Sequence, residues 1–89
     1  MGRQQLKKTE TINAARRKEI ERAIDLLYQA KEIIENVRDD EQDAYDNMPE
    51  SLQYSERGER MSENVDALDN AADYDIEDII TNLNEIIEQ

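Results

Sequence analysis

The chain has 89 residues, with 11 Lys and Arg against 23 Asp and Glu, a net charge of −12, and no His, Cys, Trp or Phe. That length allows one domain, and the missing residue types exclude a disulfide frame, a zinc site of the usual ligands and a His-based triad. The negative charge argues against direct contact with DNA, RNA or an anionic membrane, whose surfaces carry the same sign.

The N-terminus, residues 1–12, is polar and basic, with Leu6 and Ile12 its large aliphatics. It has no apolar run for a secretory signal or membrane anchor, and Leu6 stands where a myristoylation motif needs Ser or Thr. A mobile segment and a bacterial cytoplasmic setting are the expectations here.

Glycine and proline are nearly missing, with Gly2, Pro49 and Gly58 the whole set. A first helix is predicted over 13–47, with Asn13 as its cap. Its apolar residues recur on a heptad: Ile20, Leu27 and Ile34 at one seam position, Ala23, Ala30, Val37 and Ala44 at the other. Pro49 has no amide donor and biases Met48 away from helical angles, so the helix should stop there. The connection, 48–55, has room for one helical turn at Pro49 to Gln53. A second helix, 56–88, is capped by Ser55 or Ser51. It carries Met61, Val65, Leu68, Ala72, Ile76, Ile79, Leu83 and Ile86 at steps of three or four, which is helical spacing.

The fold class is therefore all-α, and the expected domain is 13–89. Two helices about 50 Å long, at 1.5 Å per residue, fold most simply into an antiparallel hairpin. Turning near Ser51 sets Ile34 against Leu68, Val37 against Val65, Ala30 against Ala72 and Ala44 against Gly58. Charge favours the same orientation. Residues 1–22 hold seven basic and three acidic side chains, whereas 64–89 hold eight acidic and none basic. An antiparallel pairing lays Arg16, Arg17, Lys18 and Arg22 beside that acidic half.

A second stripe accompanies the seam: Ile80 and Ile87 join Ile76 and Leu83, with Leu26 and Ile33 on helix one. One partner helix cannot cover both stripes. A homodimer forming a four-helix bundle through Leu26, Ile33, Ile76, Ile80, Leu83 and Ile87 is the expectation. Tyr28 and Tyr74 fall at one level, off the seam, where they can pack between copies or anchor a partner.

The strongest local field is the acidic connection. Asp39, Asp40, Glu41, Asp43, Asp46, Glu50 and Glu56 follow one another with no basic side chain between them. Asp39, Asp43 and Asp46 share a helix face, repel one another and sit where the helix dipole disfavours anions. A solvated face is one reading. A surface matched to a basic partner is the other, with Tyr45 and Tyr54 as anchors. An EF-hand does not fit, because Ala44 stands where the loop needs Gly. The sequence implies no cofactor.

One catalytic pattern can be traced. Glu32-Ile33-Ile34-Glu35 and Glu63-Asn64-Val65-Asp66 match the E-x-x-E and E-x-x-D with which all-α NTP pyrophosphohydrolases hold magnesium. Such matches arise readily in a chain this acidic, and these four carboxylates flank the seam on its outer side instead of converging.

Arg16-Arg17-Lys18-Glu19-Ile20 and the stretch DDEQDAYDNMPESLQYSERGERM from Asp39 to Met61 resemble small acidic helical proteins of bacterial phages and prophages. The resemblance runs from about Ala15 onward. It implies a phage or mobile-element setting and brings no catalytic residues. Its most specific part is the connection, which suggests that Asn47, Pro49, Leu52, Gln53 and Arg57 matter as shapes.

Three functions follow as expectations. The first is an inhibitor or modulator that occupies a basic, nucleic-acid-binding surface of a host protein, as a nucleic-acid mimic in counter-defence would. Asp39, Asp40, Glu41, Asp43, Asp46 and Glu50 would carry the charge, with Tyr45 and Tyr54 as anchors. The second is a structural adaptor acting through its aliphatic stripe. The third is the magnesium-dependent hydrolase.

Overall fold

A computed structural model describes residues 12–89, so the expectation for 1–12 lies, Ile12 apart, outside the described residues. These residues are all-α, but they are not two uninterrupted helices. Helix α1 spans Ala14–Asp46, a single turn α2 spans Glu50–Gln53, and α3 spans Glu56–Asn70. A π-helical segment, Ala71–Asp75, then leads into α4, Ile76–Ile87.

The ends of these elements follow from local chemistry. The Arg16 amide donates to Asn13 Oδ1 at 2.9 Å, which satisfies one of the free donors at the start of α1. Ser55, not Ser51, caps α3, with the Gly58 amide donating to its Oγ at 3.2 Å. Glu56 and Glu59 in that first turn also suit the positive end of the helix dipole.

The chain doubles back at the connection, so early residues of α1 meet late residues of the second arm. Arg17 Nε donates to the Ile87 carbonyl at 3.2 Å, and Asn64 Nδ2 donates to Glu41 Oε2 at 3.1 Å. The arms are displaced by about one turn from the expected level. Val37 lines a shallow groove with Ala67, Leu68, Glu41 and Asn64, where Val65 was expected to face it. Gly58, expected opposite Ala44, is buried under the connection against the carbonyls of Leu52 and Gln53, while Ala44 is exposed.

The core lies toward the open end. Ile24, Ile76 and Ile80 are buried together, with Ile20, Leu27, Ile34, Leu83 and Ile87 packed around them. Ile80 is 2% exposed and Ile24 7%, and burying each such side chain is worth about 1.5–3 kcal/mol. Ile24 was absent from the expected seam.

The second arm departs from expectation for one physical reason. The Ile76 amide bonds back to the Ala71 carbonyl, a five-residue step that fits one extra residue into the turn. A heptad running through Val65 and Ala72 would continue to Ile79 and Ile86. After the wide turn it continues to Ile80 and Ile87, and Ile79 and Ile86 are left exposed. Of the residues expected to face a second copy, Ile76 and Ile80 are buried within the chain, Leu83 and Ile87 are partly buried against them, and Leu26 and Ile33 are exposed.

Candidate functional site: the acidic connection and the charged mid-seam

Two charged arrangements stand out, one between the arms and one at the closed end. In the middle of the seam, Lys31 and Arg38 occupy the same heptad position as Arg17, Ile24 and Tyr45. Lys31 Nζ lies 3.1 Å from Glu77, 3.6 Å from Glu35 and 3.8 Å from Asp73. Arg38 donates to Asp69 at 2.7 Å and to Asp39 at 3.0 Å, and lies 3.9 Å from Asp73. Asp73, inside the π-helical segment, is shared by both cations. Glu77 accepting from Lys31 is the main cause holding that ammonium above the ordinary lysine range; partial desolvation opposes it, and the fields of Glu77, Glu35 and Asp73 add to it. Arg38 is likewise raised, first by its hydrogen bonds to Asp69 and Asp39.

The cross-arm ion pairs therefore come from Lys31 and Arg38. Among the described residues the basic cluster near the start of α1 makes none: Arg22 pairs with Glu19 on its own helix at 3.6 Å, and Arg17 uses a backbone carbonyl. Sequence reasoning passed over Lys31 and Arg38. Their signal was a cation at a seam position, matched by Asp69, Asp73 and Glu77 at four-residue steps on the other arm.

The closed end is built by backbone contacts. Gln53 Nε2 donates to the Met48 carbonyl at 3.3 Å and to the Tyr45 carbonyl at 3.0 Å, the latter also accepting from the Met48 amide at 3.1 Å. The Pro49 carbonyl accepts from the amides of Leu52 and Gln53 at 2.8 and 3.2 Å, which makes the single turn of α2. Ser55 Oγ donates to the Leu52 carbonyl. Gly58 is buried so close beneath this turn that a Cβ there would overlap the carbonyl oxygens of Gln53 and Leu52. Pro49, Gln53, Ser55 and Gly58 thus specify the shape.

This frame carries the acidic residues unequally. Glu41 is half-buried and accepts from Asn64, Asp39 is engaged by Arg38, and Asp46 accepts from Gln42 Nε2 at 2.9 Å. Asp40, Asp43, Asp46 and Glu50 are exposed, and among the described residues no Lys or Arg pairs with them. Tyr54 stands 75% exposed at the tip beside a half-exposed Leu52, whereas Tyr45 is half-buried. Tyr28 and Tyr74 are both exposed, off the seam.

The hydrolase pattern does not converge. Glu35 is turned to Lys31, while Glu32, Glu63 and Asp66 are exposed. Among the described residues there is no group of three or more His, Cys, Asp or Glu able to hold a metal ion. A shallow groove lined by Tyr28, Gln29, Lys31, Glu32 and Glu35 has Lys31 as its cation, already engaged by three carboxylates. No described helix is long and apolar enough to cross a membrane. Comparison with protein-family models, with curated proteins and with solved structures finds no match.

Proposed function

We propose that this chain is a small acidic binding protein of phage type, which modulates a host protein by occupying its basic, nucleic-acid-binding surface. One observation carries the reading. Asp40, Asp43 and Asp46, on the last two turns of α1, and Glu50, at the start of the turn that follows, are exposed without cationic partners among the described residues, and Gln53, Ser55 and Gly58 fix the shape of that turn. Like charges crowded at a helix C-terminus cost stability. A rigid frame that holds them outward, with Tyr54 beside them, suits a partner of opposite sign. Preorganisation reduces the ordering that binding would otherwise demand.

The test is capture from bacterial lysate with the unmodified chain and with the variant Asp40→Asn, Asp43→Asn, Asp46→Asn, Glu50→Gln. The unmodified chain should retain a nucleic-acid-binding protein that added duplex DNA or high salt releases, and the variant should not. Retention of the same protein by both would remove the acidic connection from the function.

A second reading is an adaptor that acts by self-association, two antiparallel hairpins forming a four-helix bundle. The observation in its favour is the set of exposed aliphatics Leu26, Ile33, Val37, Ile79 and Ile86, more than scattered surface residues require. Sedimentation equilibrium gives its test: a single-chain mass well above micromolar concentration would end it. The magnesium-dependent hydrolase has no comparable support.

A further inference from the structure

The exposed aliphatics lie on one side of the molecule. The groove of Val37, Ala67, Leu68 and Asn64 marks that side, while Lys31, Glu35 and Glu77 lie toward the other. Ile79 falls on the flank of α4 opposite Glu77, two residues away around the helix, and Ile86 follows it by one heptad. On α1 the same side carries Ala23, Leu26, Ala30, Ile33 and Val37. It has no charged residue between Ala23 and Val37, and Ile33 is 62% exposed.

This stripe reads nearly the same in both directions from Ala30. Ala23 and Val37 stand one heptad to either side of it, and Leu26 and Ile33 stand one turn to either side. Its outer ends differ in sign. Arg16 lies two heptads before Ala30, with Glu19 on the same face neutralised by Arg22, and Ala44, flanked by Asp40 and Asp43, lies two heptads after. A pattern that is symmetric in shape and antisymmetric in charge is what an isologous antiparallel contact requires.

We infer that a second copy of this chain packs across this face, α1 against α1 and antiparallel, with the two-fold axis at Ala30. The inference rests on the self-association reading and gives it a face and an orientation. Ala30 meets its own counterpart, where small side chains let the helices approach. Ala23 meets Val37 of the second copy, and Leu26 packs beside its Ile33. Arg16 comes beside the second copy's Asp40 and Asp43. A parallel pairing would set Arg16 against Arg16 and the two acidic ends together. Asp46, Glu50 and Tyr54 stay outside the contact, so the dimer carries an acidic tip at each end.

The chain contains no cysteine, so single cysteines report the geometry cleanly. A disulfide forms only where Cα atoms come within about 4.4–6.8 Å. Ala30→Cys alone should oxidise to a covalent dimer, and Ala23→Cys alone should not. Ala23→Cys mixed with Val37→Cys should give the crossed species. Ile33→Asp, at an exposed position that leaves helical content unchanged, should weaken the dimer at least about tenfold in sedimentation equilibrium. Self-crosslinking of Ala23→Cys would overturn the antiparallel orientation. A dimer that neither crosslinks at Ala30→Cys nor weakens with Ile33→Asp would overturn this face while leaving self-association standing. A single-chain mass for the unmodified protein would overturn both.

Discussion

The open-end half of the seam and its closed-end half are made of different materials. Toward the termini, Ile20, Ile24 and Leu27 pack against Ile76, Ile80, Leu83 and Ile87. Toward the connection Val65 and Ala72 are buried as well, but polar contacts run beside them: Lys31 to Asp73 and Glu77, Arg38 to Asp69, Asn64 to Glu41. Apolar burial is strong and non-directional, so it holds the arms together without fixing how far one slides along the other. Ion pairs between half-exposed groups add little energy but have definite partners. The first half is the larger apolar cluster, and the second adds paired partners that reach the acidic segment at Asp39 and Glu41.

That division can be broken in order of size. Ile80→Ala removes the most buried large side chain and should cost about 2–5 kcal/mol, read as a lower denaturant midpoint. Gly58→Ala forces a methyl into the carbonyls of Leu52 and Gln53; overpacking of this kind costs about 1–3 kcal/mol. Ser55→Ala, which removes the cap beside it, should cost about 1 kcal/mol in the same measurement. If Gly58→Ala proved harmless, the closed end would be less fixed than its hydrogen bonds indicate.

Lys31 gives a smaller effect with a distinctive pH signature. Its pKa is raised in the folded state, so its contribution is complete below the ordinary lysine value and is lost as pH climbs through the raised one. Melting curves at rising alkaline pH should therefore show a loss of stability that Lys31→Met lacks. Parallel curves for the two proteins would mean that the ammonium has no part in holding the arms.

The smallest expected effect is the most specific. Tyr74 is exposed inside the π-helical segment. Deleting it should convert the wide turn to regular α-helix and keep Ile80 and Ile87 in the seam, with melting temperature unchanged or raised. A large loss would show that the extra residue is itself required.

The class of fold, the cap at Asn13 and the site of the break at Pro49 were legible in the sequence, because each rests on a local rule, and Ser55 was one of two candidates for the second cap. The choice between Ile79–Ile86 and Ile80–Ile87 was not. Both stripes have helical spacing, and one extra residue in a wide turn exchanges them without any Gly or Pro to mark the place. The displaced register goes with the ion pairs of Lys31 and Arg38, whose signal, cations at a seam position matched by Asp69, Asp73 and Glu77, shows only when the two arms are compared. At the connection, acidity was plain from composition. The difference between bare Asp40, Asp43 and Glu50 and engaged Asp39 and Glu41 depends on what Arg38 and Asn64 reach.

The central claim is that the exposed carboxylates of the connection are carried at a cost to the fold. Thermal unfolding of the Asp40→Asn, Asp43→Asn, Asp46→Asn, Glu50→Gln variant beside the unmodified chain tests it most directly. Removing repulsion at the end of α1 should leave the melting temperature equal or raise it by a few degrees. A clear fall would show that these carboxylates hold the structure together, and a surface reserved for a basic partner would no longer be needed to explain them.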